Sequence, residues 1–152
     1  MFELLPRTGL VLPRNAGVLH FGVSERAAQW AVSTLADVRT TWVCQAGWAF
    51  TACYEGLELL FYGDCADRLG RPDHDRPGFA AASLRRCEAG PTQPSAVPVV
   101  LGDVDLFGYP AAEVLAVVGP RPYPEMRLSP ASSPAGYVPE VWFSAADASS
   151  PA

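Results

Sequence analysis

The chain has 152 residues, 49% of them hydrophobic and 18% charged, which suits one domain with its own core and excludes a wholly disordered protein. Sixteen acidic residues against 11 basic ones give a formal net charge of −5, without the basic footprint that nucleic-acid phosphates require; Arg85 and Arg86 form at most a small local patch. No apolar run reaches the roughly 18 residues of a membrane-spanning helix, so neither nucleic acid nor membrane is an expected partner.

The first residues, MFELLPRTGL, lack the basic start, apolar centre and small-residue cleavage site of a secretory signal. A cytoplasmic protein follows as the expectation. Its four cysteines, Cys44, Cys53, Cys65 and Cys87, form no C-x-x-C pair and read as reduced thiols. Every basic residue is arginine, as in proteins from high-GC genomes.

Phe2 to Leu5 and Leu10 to Leu12 are short apolar pieces bounded by Pro6 and Pro13, and they read as strands paired at a sheet edge, where proline is tolerated. Gly17 to Val23 leads to Ser24, an N-cap whose hydroxyl can accept from an orphan amide of the next turn. A helix is predicted over 24–37, with Ala28, Ala31, Val32 and Leu35 on its apolar stripe and Trp30 to one side.

Arg39 to Asp64 reads as a three-stranded meander. With Gln45–Gly47 as the first turn, Trp42 faces Phe50, Thr40 faces Ala52 and Val38 faces Tyr54. With Glu55-Gly56 as a two-residue second turn, Tyr54 faces Leu57, Ala52 faces Leu59 and Phe50 faces Phe61. Alternation then places Val38, Trp42, Cys44, Trp48, Phe50, Ala52, Tyr54, Leu57, Leu59 and Phe61 on a core face. Arg39, Thr41, Val43, Ala49, Thr51, Cys53, Glu58, Leu60 and Tyr62 fall on the other.

A charged loop over 63–78 precedes Phe79 to Cys87, read as a further strand although its alanines also permit a helix. Residues 88–98 are linker-like, Val99 to Phe107 is a strand, and Pro110 to Val118 is a second short helix stopped by Gly119-Pro120. A proline- and serine-rich loop follows, then a last strand over Tyr137 to Ala145 with Pro139 favouring an edge. The fold class is therefore α+β: an antiparallel sheet of about five or six strands with two helices packed on one face. Residues 1–145 form the domain and 146–152 a disordered tail.

The segment VLHFGVSERAAQWAV from Val18 echoes VDLFGYPAAEVLAVV from Val104, with Phe21-Gly22 matching Phe107-Gly108 before each helix. On these junctions the chain resembles small actinobacterial proteins in which an L-x-F-G-M-[ST] segment opens a helix lying on an antiparallel sheet, as in the β-lactamase inhibitor proteins. Val23-Ser24 and Tyr109-Pro110 stand where that pattern has Met-Thr. The resemblance implies two such units and a sheet surface that grips a partner enzyme.

Catalytic signatures are scarce. Asp64, Cys65, Asp67, Asp73, His74 and Asp75 offer metal-binding side chains, with Cys65, Asp73, His74 and Asp75 as the core of an alternative metal or small-molecule site. They lack the spacing of a zinc or calcium motif, so a solvated loop balanced by Arg68, Arg71 and Arg76 is the competing reading. His20 and His74 are the only bases that could activate a cysteine, and no Walker loop, G-x-S-x-G or G-x-G-x-x-G occurs.

No cofactor is expected. The reading that follows is a non-enzymatic protein-binding module, of inhibitor or immunity type, that presents Arg39, Thr41, Thr51, Glu58, Leu60 and Tyr62 on an open sheet face. Its alternatives are a small enzyme or ligand binder built on the 64–75 loop, and a structural or regulatory subunit that forms a homodimer.

Overall fold

The computed structural model describes residues 1–41, 47–64 and 78–145. Along the chain run strands β1 (Phe2–Leu5), β2 (Gly9–Leu12) and β3 (Gly17–His20), helix α1 (Glu25–Ser33), and strands β4 (Arg39–Thr41), β5 (Gly47–Tyr54), β6 (Leu57–Asp64) and β7 (Gly78–Arg86). They are followed by β8 (Val99–Leu101), β9 (Val104–Asp105), helix α2 (Ala111–Val118), β10 (Met126–Leu128) and β11 (Glu140–Ser144). The architecture is α+β. Its strands divide between a five-stranded sheet of order β3-β2-β1-β8-β9 and a six-stranded sheet of order β10-β11-β7-β6-β5-β4.

Two sheets form because the first three strands pair with one another and with β8, not with the meander. β1 lies inside its sheet, antiparallel to β2 and parallel to β8 with Phe2 opposite Val99, which corrects its expected place at an edge. Pro6 and Pro13 sit in turns just past the strand ends, where no ladder donor is needed. The expected strand over 99–107 is a tight hairpin, β8 and β9, reversed at Gly102 with φ 61°. β11 also lies inside its sheet, between β10 and β7, which corrects its expected place at an edge, and the Pro139 carbonyl just before it accepts a hydrogen bond from the Arg86 amide at 2.8 Å.

In the meander, β5 and β6 pair as alternation requires, with Tyr54 opposite Leu57, Ala52 opposite Leu59 and Phe50 opposite Phe61. Glu55 and Gly56, at φ 45° and 86°, supply the two left-handed residues of the turn. The β4–β5 pairing is displaced by two residues from expectation, with Thr40 opposite Phe50 and Gly47 already a ladder residue. A shift of two leaves every side chain on its face. Trp42 and Cys44 lie outside the described residues. Near the end of β6 the register shifts at Tyr62/Gly63, and a Cβ on Gly63 would collide with the Trp48 ring.

Ser24 caps α1 by accepting from the Ala27 amide at 3.1 Å, a contribution of about 1 kcal/mol. The helix stops at Ser33, short of Asp37, where the Ser33 and Thr34 hydroxyls turn back to the Trp30 and Ala31 carbonyls at 2.7 Å. Ala28 and Val32 are buried, Trp30 is 77% exposed, and α1 packs on β3 of one sheet and β5 and β7 of the other. In α2, Ala111 and Val114 are buried, and the helix ends at Gly119 with φ 78°.

One hydrophobic cluster joins both sheets, from Phe2, Leu4 and Leu10 to Phe50, Leu59, Phe61, Val141 and Phe143. The Phe2 ring meets Tyr54 edge-on at 5.8 Å, and Phe21 stacks on Phe79 at 4.9 Å. The two Phe-Gly segments follow β3 and β9, the outer strands of the five-stranded sheet. The stretch 88–98 is held to the rest of the fold, with the Tyr137 amide donating to the Pro91 carbonyl and the Ser95 amide to that of Phe107. Among the described residues no helix is long and apolar enough to cross a membrane.

Candidate functional site

Alternation along the six-stranded sheet sends one set of side chains inward and the other to a face that spans all six strands. One row across it reads Arg39, Thr51, Leu60, Ser83, Trp142 and Arg127. A second row is Thr41, Ala49, Tyr62, Ala81 and Ser144, and a third is Cys53, Glu58, Arg85 and Glu140. Five strand intervals make the first row about 24 Å wide. All six residues expected from sequence, Arg39, Thr41, Thr51, Glu58, Leu60 and Tyr62, stand on this face.

Their environments differ. Arg39 and Thr41 on the edge strand are exposed, whereas Thr51, Glu58, Leu60 and Tyr62 are half-buried by their neighbours. Glu58 is ion-paired with Arg85, and the Ser83 hydroxyl donates to Glu140 Oε2 at 3.0 Å. The Arg127 guanidinium lies over the Trp142 ring, 5.2 Å from its centre, a cation–π contact. Among the described residues neither Arg39 nor Arg127 has a carboxylate partner.

At one end of the face, β4, the β5–β6 hairpin and the chain leaving α1 enclose a groove of about 660 Å³. Arg39, Thr51 and Glu58 line it, with Cys53, Asp37 and Arg14. Arg14 arrives from the turn between β2 and β3, where it and Asn15 take φ 56° and 57°. It pairs with Glu55 at 3.3 Å and covers the Tyr54 ring at 5.6 Å. Left-handed backbone at a non-glycine residue is uncommon, and here it aims a guanidinium into the groove wall.

Cys53 and Cys87 are both exposed free thiols. Partial burial pushes the Cys87 thiol up, with Cys53 and Glu58 adding to the effect, a hydrogen bond with Cys53 among the causes, and Arg85 opposing it. Such a thiol is mostly protonated at neutral pH and is a weak nucleophile there. His20 is exposed on β3. The alternative site of Cys65, Asp73, His74 and Asp75 lies outside the described residues. Among those that are described, no three His, Cys, Asp or Glu side chains are grouped to hold a metal.

Sequence reasoning missed Arg14, Ser83, Trp142 and Arg127. Parity within 140–144 marks Trp142 and Glu140 as sharing a side, but nothing local says that this strand lies beside β7. Comparison of the chain with protein-family models, with curated proteins and with solved structures found no match.

Proposed function

We propose that the protein is a non-enzymatic binding module, of inhibitor or immunity type, that receives a folded partner protein on the outer face of its six-stranded sheet. The observation that carries this reading is the row from Arg39 to Arg127. It places an apolar centre, Leu60 and Trp142, between two arginines without carboxylate partners among the described residues. Tryptophan and arginine dominate the energetics of protein interfaces because each combines a large contact area with directional polar groups. The chemistry fits a partner with an apolar patch flanked by carboxylates about 24 Å apart. The resemblance to β-lactamase inhibitor proteins makes an enzyme one form such a partner can take.

The test is a matched capture from the native host with wild-type protein and a Trp142→Ala/Arg39→Glu variant, followed by titration of the purified partner. A protein retained by wild type and lost by the variant, with at least a hundredfold weaker binding in titration, supports the reading. Equal retention by both, or no retained protein at all, defeats it.

A further inference from the structure

At the hairpin end of the six-stranded sheet two exposed thiols meet. Cys53 on β5 stands opposite Glu58 of β6, and Glu58 opposite Arg85 of β7, so all three share the outer side. Cys87 follows Arg85 by two residues and keeps its side. Its amide donates to the Gly56 carbonyl at 2.9 Å, which brings it beside the β5–β6 turn. Both cysteines are free and exposed, and their side chains are joined by a hydrogen bond. Cys44 and Cys65 lie outside the described residues.

Packing does not account for this pair. A structural cysteine serves as a small apolar side chain and is among the most buried residue types, whereas these two face solvent. What two adjacent thiols offer is two-electron chemistry. The interiors of two strands that flank a third are about 10 Å apart, too far for a disulfide. Cys87, however, lies past the end of β7, on the first residue of an exposed bend over 87–90, where the backbone is free of the ladder and able to close the remaining gap.

We propose that Cys53 and Cys87 form a reversible oxidation site, which a hydroperoxide converts into a disulfide between β5 and the end of β7. The Cys53 sulfur attacks the hydroperoxide and the O–O bond breaks. An alcohol, or water from hydrogen peroxide, leaves with the thiol proton, and Cys53 becomes a sulfenic acid. The Cys87 sulfur then displaces the hydroxyl, which departs as water with the Cys87 proton. Two thiols and one hydroperoxide thus give one disulfide, one alcohol or water and one further water, two electrons passing from sulfur to oxygen. Burial holds the Cys87 proton to higher pH, which makes this thiol the weaker first nucleophile and suits it to the second step. The site is independent of partner docking on the sheet face, and either can fail without the other.

The experiment treats the full reduced chain with one equivalent of hydrogen peroxide, blocks the remaining thiols with iodoacetamide and maps linkages by peptide mass spectrometry, natively and in urea. The native chain should lose two hydrogens, carry a Cys53–Cys87 link as its main product and regain both thiols with dithiothreitol. In urea that preference should vanish, because it belongs to the fold. In Cys44→Ser/Cys65→Ser, which keeps only the pair, the link should still close. Adding Cys53→Ser should slow peroxide consumption at least tenfold, and adding Cys87→Ser should leave a Cys53 sulfenic acid that dimedone traps. The proposal is overturned by a main link that involves Cys44 or Cys65 or joins two chains, by a preference no greater natively than in urea, by Cys53 and Cys87 both remaining open to iodoacetamide, or by peroxide consumption that Cys53→Ser does not slow.

Discussion

On the inner face of the six-stranded sheet, Phe50, Leu59, Phe61, Leu84 and Val141 are at most 1% exposed. One residue along the same strands, Thr51, Leu60 and Trp142 are half-buried, and Arg39 and Arg127 are exposed. The inner set is chosen by volume, since each ring or branched chain must fill space shared with the five-stranded sheet. The outer set is mixed in chemistry and burial, with Ser83 and Ala49 buried beside half-buried Leu60 and exposed Arg39, so volume constrains it less uniformly. Stability and binding are thus separable here, and substitutions on the two faces should fall into two classes.

The largest effect is expected at the centre of the inner face. Phe61→Ala removes a ring that stacks on Phe50 at 5.0 Å, and should cost about 3–5 kcal/mol in denaturant unfolding. Gly63→Ala, also inward, forces a methyl into the Trp48 ring and should cost about 1–3 kcal/mol. A cost below about 0.5 kcal/mol at either position would break the distinction between the faces.

Outer-face changes should be milder. Ser83→Ala loses the hydroxyl donor to Glu140 and should cost about 1 kcal/mol by the same measurement. Leu60→Ser should stay within about 0.5–1 kcal/mol of wild type while weakening the partner interaction, so a stability loss as large as that of Phe61→Ala would show that the face is covered. The smallest effect is a pH dependence at Cys87. Its native thiol titrates above the ordinary value of 9.0, so the native state holds this proton to higher pH than the unfolded chain. That contribution is complete below the ordinary value and is lost as pH rises through the raised native one. Wild type should therefore lose slightly more stability than Cys87→Ser as pH climbs past 9.0, and identical pH profiles would remove the cause assigned to the shift.

Much of the meander was legible because local chemistry specifies it. Glu55-Gly56 closes a two-residue turn, and that single feature sets every β5–β6 pair. The turn before β5 carried no comparable signal, and the β4 register was misjudged by two residues, an error that alternation conceals because the faces are unchanged. The six residues expected to share the outer face were placed on it in this way, all from one contiguous stretch. The helix over 24–37 was recognised by its cap and stripe, yet its end was set by Ser33 and Thr34, whose hydroxyls compete with the backbone. β10 was read as loop, because Met126 to Leu128 is too short to show a period and forms a strand only beside β11.

By itself the sequence determined the α+β class, the inward and outward sides of the meander and the Ser24 cap, all of which depend on residues within one turn or one hairpin of each other. Only the tertiary structure decided that β8 lies parallel to β1, that Trp142 and Arg127 complete a row begun by Arg39, and that the Arg86 side chain ends buried with Glu88 3.9 Å away. These depend on which distant strands become neighbours, and that choice is made by burial summed over the whole core, for which no local pattern is a substitute.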